Sequence, residues 1–286
     1  MPTKVVIPIV TAMLILAGCG PVRRKPLEVC PGKDSAAEAL SALRLHSQNV
    51  TPLRATGRCL LENYTEEKRK PHKEAFPARL WVNPPAEICL HGDVAFDPRG
   101  LVLGSNNDEF WLSIRPKISS YWWGRWSRNN NVQQLILSPR VVLEAIGIAA
   151  ADGDADGQGD WSLSNEGPFD VLTRRSDTGL TVKRIYIHSC DYMVRKIEYF
   201  NEFGQVEVVA ELDKYKEVVE GFSTPTSIKV VKQTGSGRDD SVRITLRSVK
   251  PYEFTKKQLE FLFKPRPGRF KHVYEVVRGR SVEQPQ

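Results

Sequence analysis

The chain has 286 residues, a formal net charge of +7 and 41% hydrophobic residues. This length suits one domain with a sizeable core, and nothing in the composition demands a second domain. The lysines and arginines fall in short clusters or alternate along predicted strands, which is typical of the solvated face of a sheet. Together with the export signal described next, this pattern argues against nucleic acid as a partner.

The first 18 residues have the features of a bacterial signal peptide. Lys4 precedes an uncharged, mostly apolar run from Val5 to Gly18. At about 14 residues, this run is too short to span a bilayer and matches the apolar region of a signal peptide. Leu16-Ala17-Gly18-Cys19 resembles the lipobox of bacterial lipoproteins, which implies cleavage before Cys19 and lipidation of its thiol. The alternative is an uncleaved anchor followed by an ordinary cysteine.

We expect the mature protein to be exported and held at a membrane by lipid on Cys19, with residues 19–33 as a tether. Several acyl chains anchor a protein more firmly than one, because each buried methylene adds about 0.8 kcal/mol. The basic residues 23–25 either contact anionic headgroups or are solvated. Gly20 stands where an aspartate signals inner-membrane retention in some bacteria, so the sequence favours the outer membrane, facing the periplasm. We expect a monomer.

Residues 34–266 are predicted to form one domain that begins with a helix. Asp34 and Ser35 are good N-cap residues, and the alanine, leucine and glutamate content after them favours a helix. A second helix is expected around residues 139–149, where Ser138 can cap the first turn and a proline suits it. Residues 267–286 are predicted to be a flexible tail.

Elsewhere in the domain, apolar and polar residues alternate with the period of two that predicts β-strands. Short turns separate them, so successive strands should pair antiparallel. The predicted strands are residues 53–64, 74–85, 87–98, 99–103, 109–116, 120–126, 179–188, 192–200, 205–215, 226–234 and 241–250. A sheet of about ten or eleven strands must curl. The predicted fold class is therefore mainly β (α+β), an unclosed antiparallel half-barrel with helices covering its mouth.

The order of these elements resembles the LolA/LolB superfamily of lipoprotein-sorting factors. The match is one of pattern rather than of individually specific motifs, and it covers roughly residues 34–265. Its parts are the lead helix before the first strand, the LWV strand at 80–82 running into Pro84-Pro85, the strand EFWLSIRP at 109–116, the helix at 139–149, the hairpin RKIEYFNEFGQV at 195–206 and the strand TPTSIKV at 224–230.

Within this superfamily, the expected lipid on Cys19 makes the chain more similar to the lipid-anchored LolB-type receptor than to the soluble carrier. It would bind acyl chains or lipoprotein lipid in an apolar cavity, for lipoprotein sorting or envelope sensing. One departure is Asn83-Pro84, which stands in place of the carrier's basic pair, whose arginine helps to hold the lid shut. The alternative is a structural or interaction lipoprotein of the same fold with a packed interior.

Strand alternation and the expected fold together suggest which residues line such a cavity. In residues 109–126, which hold four of the six tryptophans, Phe110, Leu112 and Ile114 share one face, and Trp111, Ser113 and Arg115 take the other. The cavity candidates are Trp81, Phe110, Leu112, Ile114, Trp122 and Trp126. Each of them could instead pack against the helices.

Four cysteines remain after Cys19, and in an exported chain an even number permits disulfides. Cys30, Cys59, Cys89 and Cys190 allow three pairings, among which the sequence does not choose. Cys89-Leu90-His91 and His188-Ser189-Cys190 could also supply four zinc ligands from two strands. Zinc motifs ordinarily use wider spacings, so a disulfide or buried thiols are favoured.

An acidic, glycine-rich loop reproduces the front of a calcium-binding EF-hand loop. Asp152, Asp154 and Asp156 stand at positions one, three and five, a glycine follows at six, and Asp160 stands at nine. Position twelve is Leu163 instead of the usual glutamate. The loop is therefore interpreted either as a Ca²⁺ site or as a solvated acidic surface loop. No other cofactor is expected.

The sequence offers little for catalysis. The five histidines (His46, His72, His91, His188 and His272) are scattered. The chain has no HExxH, no GxSxG and no glycine-rich phosphate loop. Asp191 lies close to His188, but spacing alone assembles no serine-histidine-aspartate set. We expect a binding protein and not an enzyme.

Overall fold

The computed structural model describes residues 28–64, 70–94, 97–115, 119–126, 138–147, 160–235, 237–268, 270–277 and 280–285. The helices are α1 (Ala36–Gln48), α2 (Pro139–Ile146) and α3 (Lys256–Leu262). The strands are β1 (Leu53–Asn63), β2 (His72–Asn83), β3 (Glu87–Val94), β4 (Asp97–Ser105), β5 (Glu109–Ile114), β6 (Ser120–Arg125), β7 (Asp160–Glu166), β8 (Phe169–Arg175), β9 (Thr181–His188), β10 (Val194–Phe200), β11 (Val206–Val219), β12 (Phe222–Lys232), β13 (Asp240–Pro251), β14 (His272–Val277) and β15 (Arg280–Glu283).

All of these strands belong to one unclosed sheet. Its order is β15-β14-β6-β5-β4-β3-β2-β1-β13-β12-β11-β10-β9-β8-β7. Strands β1 to β6 and β7 to β13 each form an antiparallel meander, and the pairing of β1 with β13 joins the two halves. The prediction of a mainly β, unclosed sheet is confirmed.

The sheet is larger than predicted, because β7, β8, β14 and β15 were not recognised. In β7 most side chains are exposed, and only Trp161 and Leu163 form a short apolar face that packs against the main cluster. In β8 four consecutive residues, Asp170 to Thr173, are buried, which hides the alternation. In the sheet β8 pairs with β9 and β7 pairs with β8, so both strands extend the meander outward from β9.

Residues 272–277 and 280–283, which were predicted to belong to a flexible tail, form strands β14 and β15. Strand β14 runs parallel to β6, pairing His272 with Ser120 and Glu275 with Trp123. The Tyr274 ring stacks on Trp122 with 5.5 Å between ring centroids. The tail prediction is wrong because a short strand beside an exposed sheet edge gains main-chain hydrogen bonds that its own sequence does not reveal.

One face of the sheet, which we call the core face, carries the main hydrophobic cluster. This cluster joins side chains of β1 to β5 and β8 to β13 with α1 and α2. Helix α1 begins where the Glu38 amide donates to the Ser35 hydroxyl over 3.2 Å, as the predicted cap requires. Helix α2 ends at Gly147, whose φ of 83° suits glycine.

Helix α3 covers part of the other face, which we call the opposite face. It was not predicted, although Thr255 and Gln258 form a complete capping box at its start. Leu262 and Phe263 pack against Cys89, Trp81 and Val102. Among the described residues, no helix is long and apolar enough to cross a membrane.

The last residues of the predicted tether are fixed to the domain. Cys30 and Cys190 form a disulfide, which selects one of the pairings that the sequence left open. The Lys33 amide donates to the buried Asp170 carboxylate over 2.8 Å. Cys59 and Cys89 are free and buried, and burial raises the pKa of each thiol to about 12.

We predict that replacing Cys30 and Cys190 together by serine lowers the free energy of unfolding by about 2–5 kcal/mol, because the disulfide closes a long loop of the unfolded chain. Denaturant titration without reductant measures this loss. Reductant should weaken the wild-type protein by the same amount and leave the serine variant unchanged. Native alkylation that labels Cys59 or Cys89 would contradict the buried placement of these thiols.

Candidate functional site

A mainly apolar cleft lies on the core face between α1, α2 and strands β9 to β12. Its volume is about 70 Å³. Leu43 of α1 and Ala145 of α2 form its helical sides. Its apolar floor and rim come from β9 to β12 and the turn before β10: Ile185, Met193, Val194, Ile197, Leu212, Tyr215 and Phe222.

Helix α2 is buried in this interior on almost all sides. Val141, Val142, Leu143, Ala145 and Ile146 are each at most 4% exposed. Apart from Arg140 and Glu144, the described side chains of this helix are apolar and are enclosed by other elements. The Thr224 hydroxyl of β12 donates to the Ile146 carbonyl over 3.1 Å and so satisfies one of the free carbonyls at the helix end.

A buried polar cluster fixes α2 to the sheet. The Glu144 carboxylate of α2 accepts a hydrogen bond from Lys183 Nζ of β9 over 2.7 Å. It also accepts from the Tyr199 hydroxyl of β10 over 2.5 Å and from Arg140 Nε over 3.3 Å. Only 4% of the Glu144 side chain and 9% of the Lys183 side chain are exposed. These contacts, which we call the Glu144 cluster, form one wall of the cleft.

The cluster keeps Glu144 ionised. Burial by itself would raise the pKa of this carboxyl group. The charges of Lys183 and Arg140 and the hydrogen bonds from Lys183 and Tyr199 outweigh burial and hold the pKa of Glu144 below its ordinary value. Burial and the Glu144 charge raise the pKa of Tyr199, so its hydroxyl remains a donor.

The predicted cavity residues lie elsewhere on the sheet. Leu112, Ile114 and Trp122 belong to the main cluster or pack against it. Phe110 and Trp126 pack against each other at 4.9 Å between ring centroids, next to Val276. These five side chains share the core face, as the alternation predicted, but none of them lines the cleft.

Trp81 is on the opposite face. Its neighbours Leu80 and Val82 point into the main core, whereas Trp81 packs beneath α3 and meets the His91 ring at 4.9 Å between ring centroids. Trp81 therefore does not share the core face with the other five candidates; in the apolar run Leu80 to Val82 the sequence does not show which members face the core.

Most of the apolar residues that line the cleft lie in predicted strands, but none of them is among the cavity residues predicted from the sequence. Ile185, Ile197 and Leu212 follow the alternation of β9, β10 and β11. This pattern identifies their face, but the space above them depends on where α1 and α2 lie. The aromatic-rich residues 109–126 include β5 and β6, in the other half of the sheet.

The cysteine and histidine pairs do not assemble into a zinc site. Cys190 is bonded to Cys30, and His188 Nδ1 lies 3.1 Å from Asp191. Cys89 Sγ lies 3.2 Å from His91 Nε2 in a separate buried pair. Over the described ranges, no three histidine, cysteine, aspartate or glutamate side chains group as metal ligands.

The calcium interpretation falls mostly outside the described residues. Asp152, Asp154 and Asp156 are not among them, and Asp160 is the exposed first residue of β7, opposite Arg175. Cys19 and the predicted signal peptide also lie outside them. The calcium and lipidation hypotheses therefore stay predictions.

Neither a protein-family model nor a curated protein sequence matches the chain. Solved structures do share its fold. A proposed outer-membrane lipoprotein-sorting domain from Vibrio parahaemolyticus is 12% identical with a TM-score of 0.52, over 77% of this chain and 94% of that one. A LolA superfamily protein from Nitrosomonas europaea is 13% identical with a TM-score of 0.52, over 81% of this chain and 99% of that one.

A DUF1329 family protein from Desulfovibrio piger is also similar in structure. It is 12% identical with a TM-score of 0.54, over 80% of this chain and 100% of that one. At these identities the likeness concerns the fold alone. The chain has a LolA/LolB-like fold, as the order of its elements predicted.

We predict that Glu144→Gln lowers the free energy of unfolding by about 3 kcal/mol near neutral pH, because Lys183 loses its buried counter-charge. The pKa of Glu144 is lowered in the folded chain, so its contribution is fully present above the ordinary carboxyl value of 4.5 and is lost as pH falls through the lowered value. Denaturant titrations near neutral pH and at about pH 3 should therefore show a smaller difference between variant and wild type in acid.

The control is Arg140→Met, because Arg140 is 41% exposed on its side chain and such pairs contribute about 1 kcal/mol or less. An equal loss of stability in both variants would show that the buried pair with Lys183 has no special role.

Proposed function

We propose that this chain is a lipid-anchored bacterial envelope protein that takes an acyl chain of a lipid or lipoprotein into its core face, beneath α2. The observation that carries the proposal is the apolar cleft between α1, α2 and strands β9 to β12. An apolar chain in this cleft would leave water at about 25 cal/mol for each Å² buried. This function needs no catalytic group.

Helix α2 is the element that would move. A volume of about 70 Å³ is far below the roughly 300–1,000 Å³ of sites that enclose small ligands. An acyl chain of ordinary length therefore requires the helix to shift. Because α2 has only eight residues, its position depends on packing and on the Glu144 cluster rather than on intrinsic helix stability.

The similar structures support a role in the envelope. The Vibrio parahaemolyticus domain is described as a lipoprotein-sorting domain, and we extend that role to this chain as part of the proposal. Its anchor would be lipid on Cys19 in the outer membrane, facing the periplasm, with α1 and α2 covering the mouth of the half-barrel. The partner would be an acylated ligand in sorting or sensing, and the protein would act as a monomer.

A second candidate is an interaction lipoprotein with a permanently packed interior. The small volume of the cleft favours it, since the apolar side chains of α2 already pack within the main cluster. The two candidates differ in whether α2 leaves its place when an apolar ligand is offered.

We predict that the chain without residues 1–19 binds an apolar fluorescent probe that an acylated peptide displaces. Met193→Trp, which adds bulk at the rim of the cleft, should weaken probe binding by about tenfold, or about 1.4 kcal/mol. Fluorescence titration measures both. Met193→Leu conserves the volume and should bind like the wild type. Absence of displaceable binding would favour the packed-interior candidate.

We also predict that loosening the Glu144 cluster strengthens the apparent affinity for the probe. Glu144→Gln should raise the population in which α2 is displaced, and the apparent dissociation constant falls as that population rises. The control replaces Glu144 by leucine and Lys183 by methionine together, which keeps the contact apolar and α2 in place. Equal affinities in all three proteins would contradict a moving α2.

A further inference from the structure

A second pocket lies on the opposite face of the sheet, separated from the cleft by the sheet itself. It lies between the outward side chains of β3 to β6 and the segment formed by α3 and the residues after it. Its volume is about 220 Å³. Neither the acyl-chain proposal nor the fold explains its chemistry.

The wall of this pocket is strongly basic. Four cationic side chains line it, against one carboxylate, that of Asp97: Arg99, Arg115, Lys264 and Arg266. Within the described residues, none of the four forms an ion pair with a carboxylate. The nearby Asp93 is already paired with Arg79 over 2.6 Å. Four positive charges with a single carboxylate among them repel one another, and a bound anion would relieve that repulsion.

Two of the guanidinium groups are held in place by aromatic rings. Arg115 lies over the Phe270 ring at 4.3 Å, and Arg266 lies over the Phe261 ring at 4.1 Å. A β-carbon on Gly268 would come within 2.3 Å of Arg115 Nη2, so glycine makes room for the guanidinium group. Stacking occupies the flat face of a guanidinium group and leaves its N–H donors available in the plane.

The floor of the pocket adds neutral hydrogen-bond donors. Tyr121 is 3% exposed and Ser113 is 8% exposed, and in the described part of the chain neither hydroxyl has a hydrogen-bond partner. Burial and the Glu109 charge raise the pKa of Tyr121, so its hydroxyl stays protonated. Burial and the charges of Arg99 and Arg79 outweigh Asp93 and lower the pKa of His91 to about 4, so its ring is neutral near neutral pH.

We propose that this opposite-face pocket binds a phosphate group, carried either by a small phosphorylated molecule or by a phospholipid headgroup. Guanidinium forks match the oxygens of phosphate in pairs. The hydroxyl donors of Ser113 and Tyr121 approach from the sheet, and the arginines from the rim, so donors surround a tetrahedral anion from several sides. The volume is below that of sites for drug-sized ligands, which suits a small anionic group.

This site is independent of the acyl-binding cleft. The side chains that line it alternate with those of the core face, as His91 does with Leu90 and Trp111 with Leu112. Loss of acyl binding would therefore leave phosphate binding intact, and the two proposals can fail separately.

The test is calorimetric titration of the full chain, purified in a non-ionic detergent, with inorganic phosphate and with acetate up to about 10 mM. We expect saturable binding of phosphate and binding of acetate that is weaker by about tenfold. No saturable binding of phosphate would overturn the proposal. Equal binding of acetate would overturn the assignment to phosphate.

Variants locate the site. Arg115→Met and Arg266→Met should each weaken phosphate binding by about tenfold, because each removes a paired donor. Arg247→Met removes the same charge from an exposed position of β13 and should change binding by about twofold or less. Tyr121→Phe removes only a hydroxyl, so it keeps the test valid if an arginine variant fails to fold; we expect about fivefold weaker binding. Equal effects of Arg247→Met and Arg115→Met would contradict a specific pocket.

A competition arm distinguishes the two sources of phosphate. The titration with inorganic phosphate is repeated in detergent micelles that contain phosphatidylglycerol. If the headgroup occupies the pocket, the added lipid suppresses phosphate binding in the wild type and in Arg247→Met alike. If the ligand is a soluble phosphorylated molecule, the lipid has no effect and glycerol 3-phosphate competes instead. Either result supports the site. If phosphatidylglycerol or glycerol 3-phosphate competes with inorganic phosphate equally well in Arg115→Met, the binding does not involve this pocket and the proposal is overturned.

Discussion

The contact between Glu144 of α2 and Lys183 of β9 fixes the interior of this protein. Helix α2 has eight residues, too few to be stable without its surroundings. Apolar burial can be satisfied in several similar positions, whereas a buried carboxylate needs its specific donors. The Lys183 ammonium at 2.7 Å and the Tyr199 hydroxyl therefore define where α2 lies, and the position of α2 in turn defines the cleft.

The two faces of the sheet have different environments because different segments cover them. The core face packs against α1 and α2 and is almost entirely apolar. The opposite face of β3 to β6 is covered by α3 and the chain that follows it, which bring arginines and aromatic rings together. Because these strands are covered on both sides, nearly all residues of β3 and β5 are buried. Both faces can therefore hold large apolar side chains, and the tryptophans of residues 109–126 are divided between them.

The sequence predicted the elements whose pattern is local. The alternation in β9 to β13 and the cap at Ser35 correspond directly to strands and to the start of α1. Elements that depend on a neighbour were missed: β7 is polar along most of its length, and β14 gains its hydrogen bonds from β6. Ser138, expected to cap α2, makes no capping hydrogen bond with its side chain, because a residue type shows the capacity to cap but not the geometry.

By itself, then, the sequence determined the mainly β class, the unclosed antiparallel sheet and the face on which each side chain of a clear strand lies, because a period of two is a property of the chain alone. Only the tertiary structure decided that Cys30 pairs with Cys190, that Glu144 meets Lys183, and that Arg115 and Arg266 surround one pocket. These contacts join residues far apart in the chain, and their partners are chosen by packing and by the order of strands in the sheet rather than by local pattern.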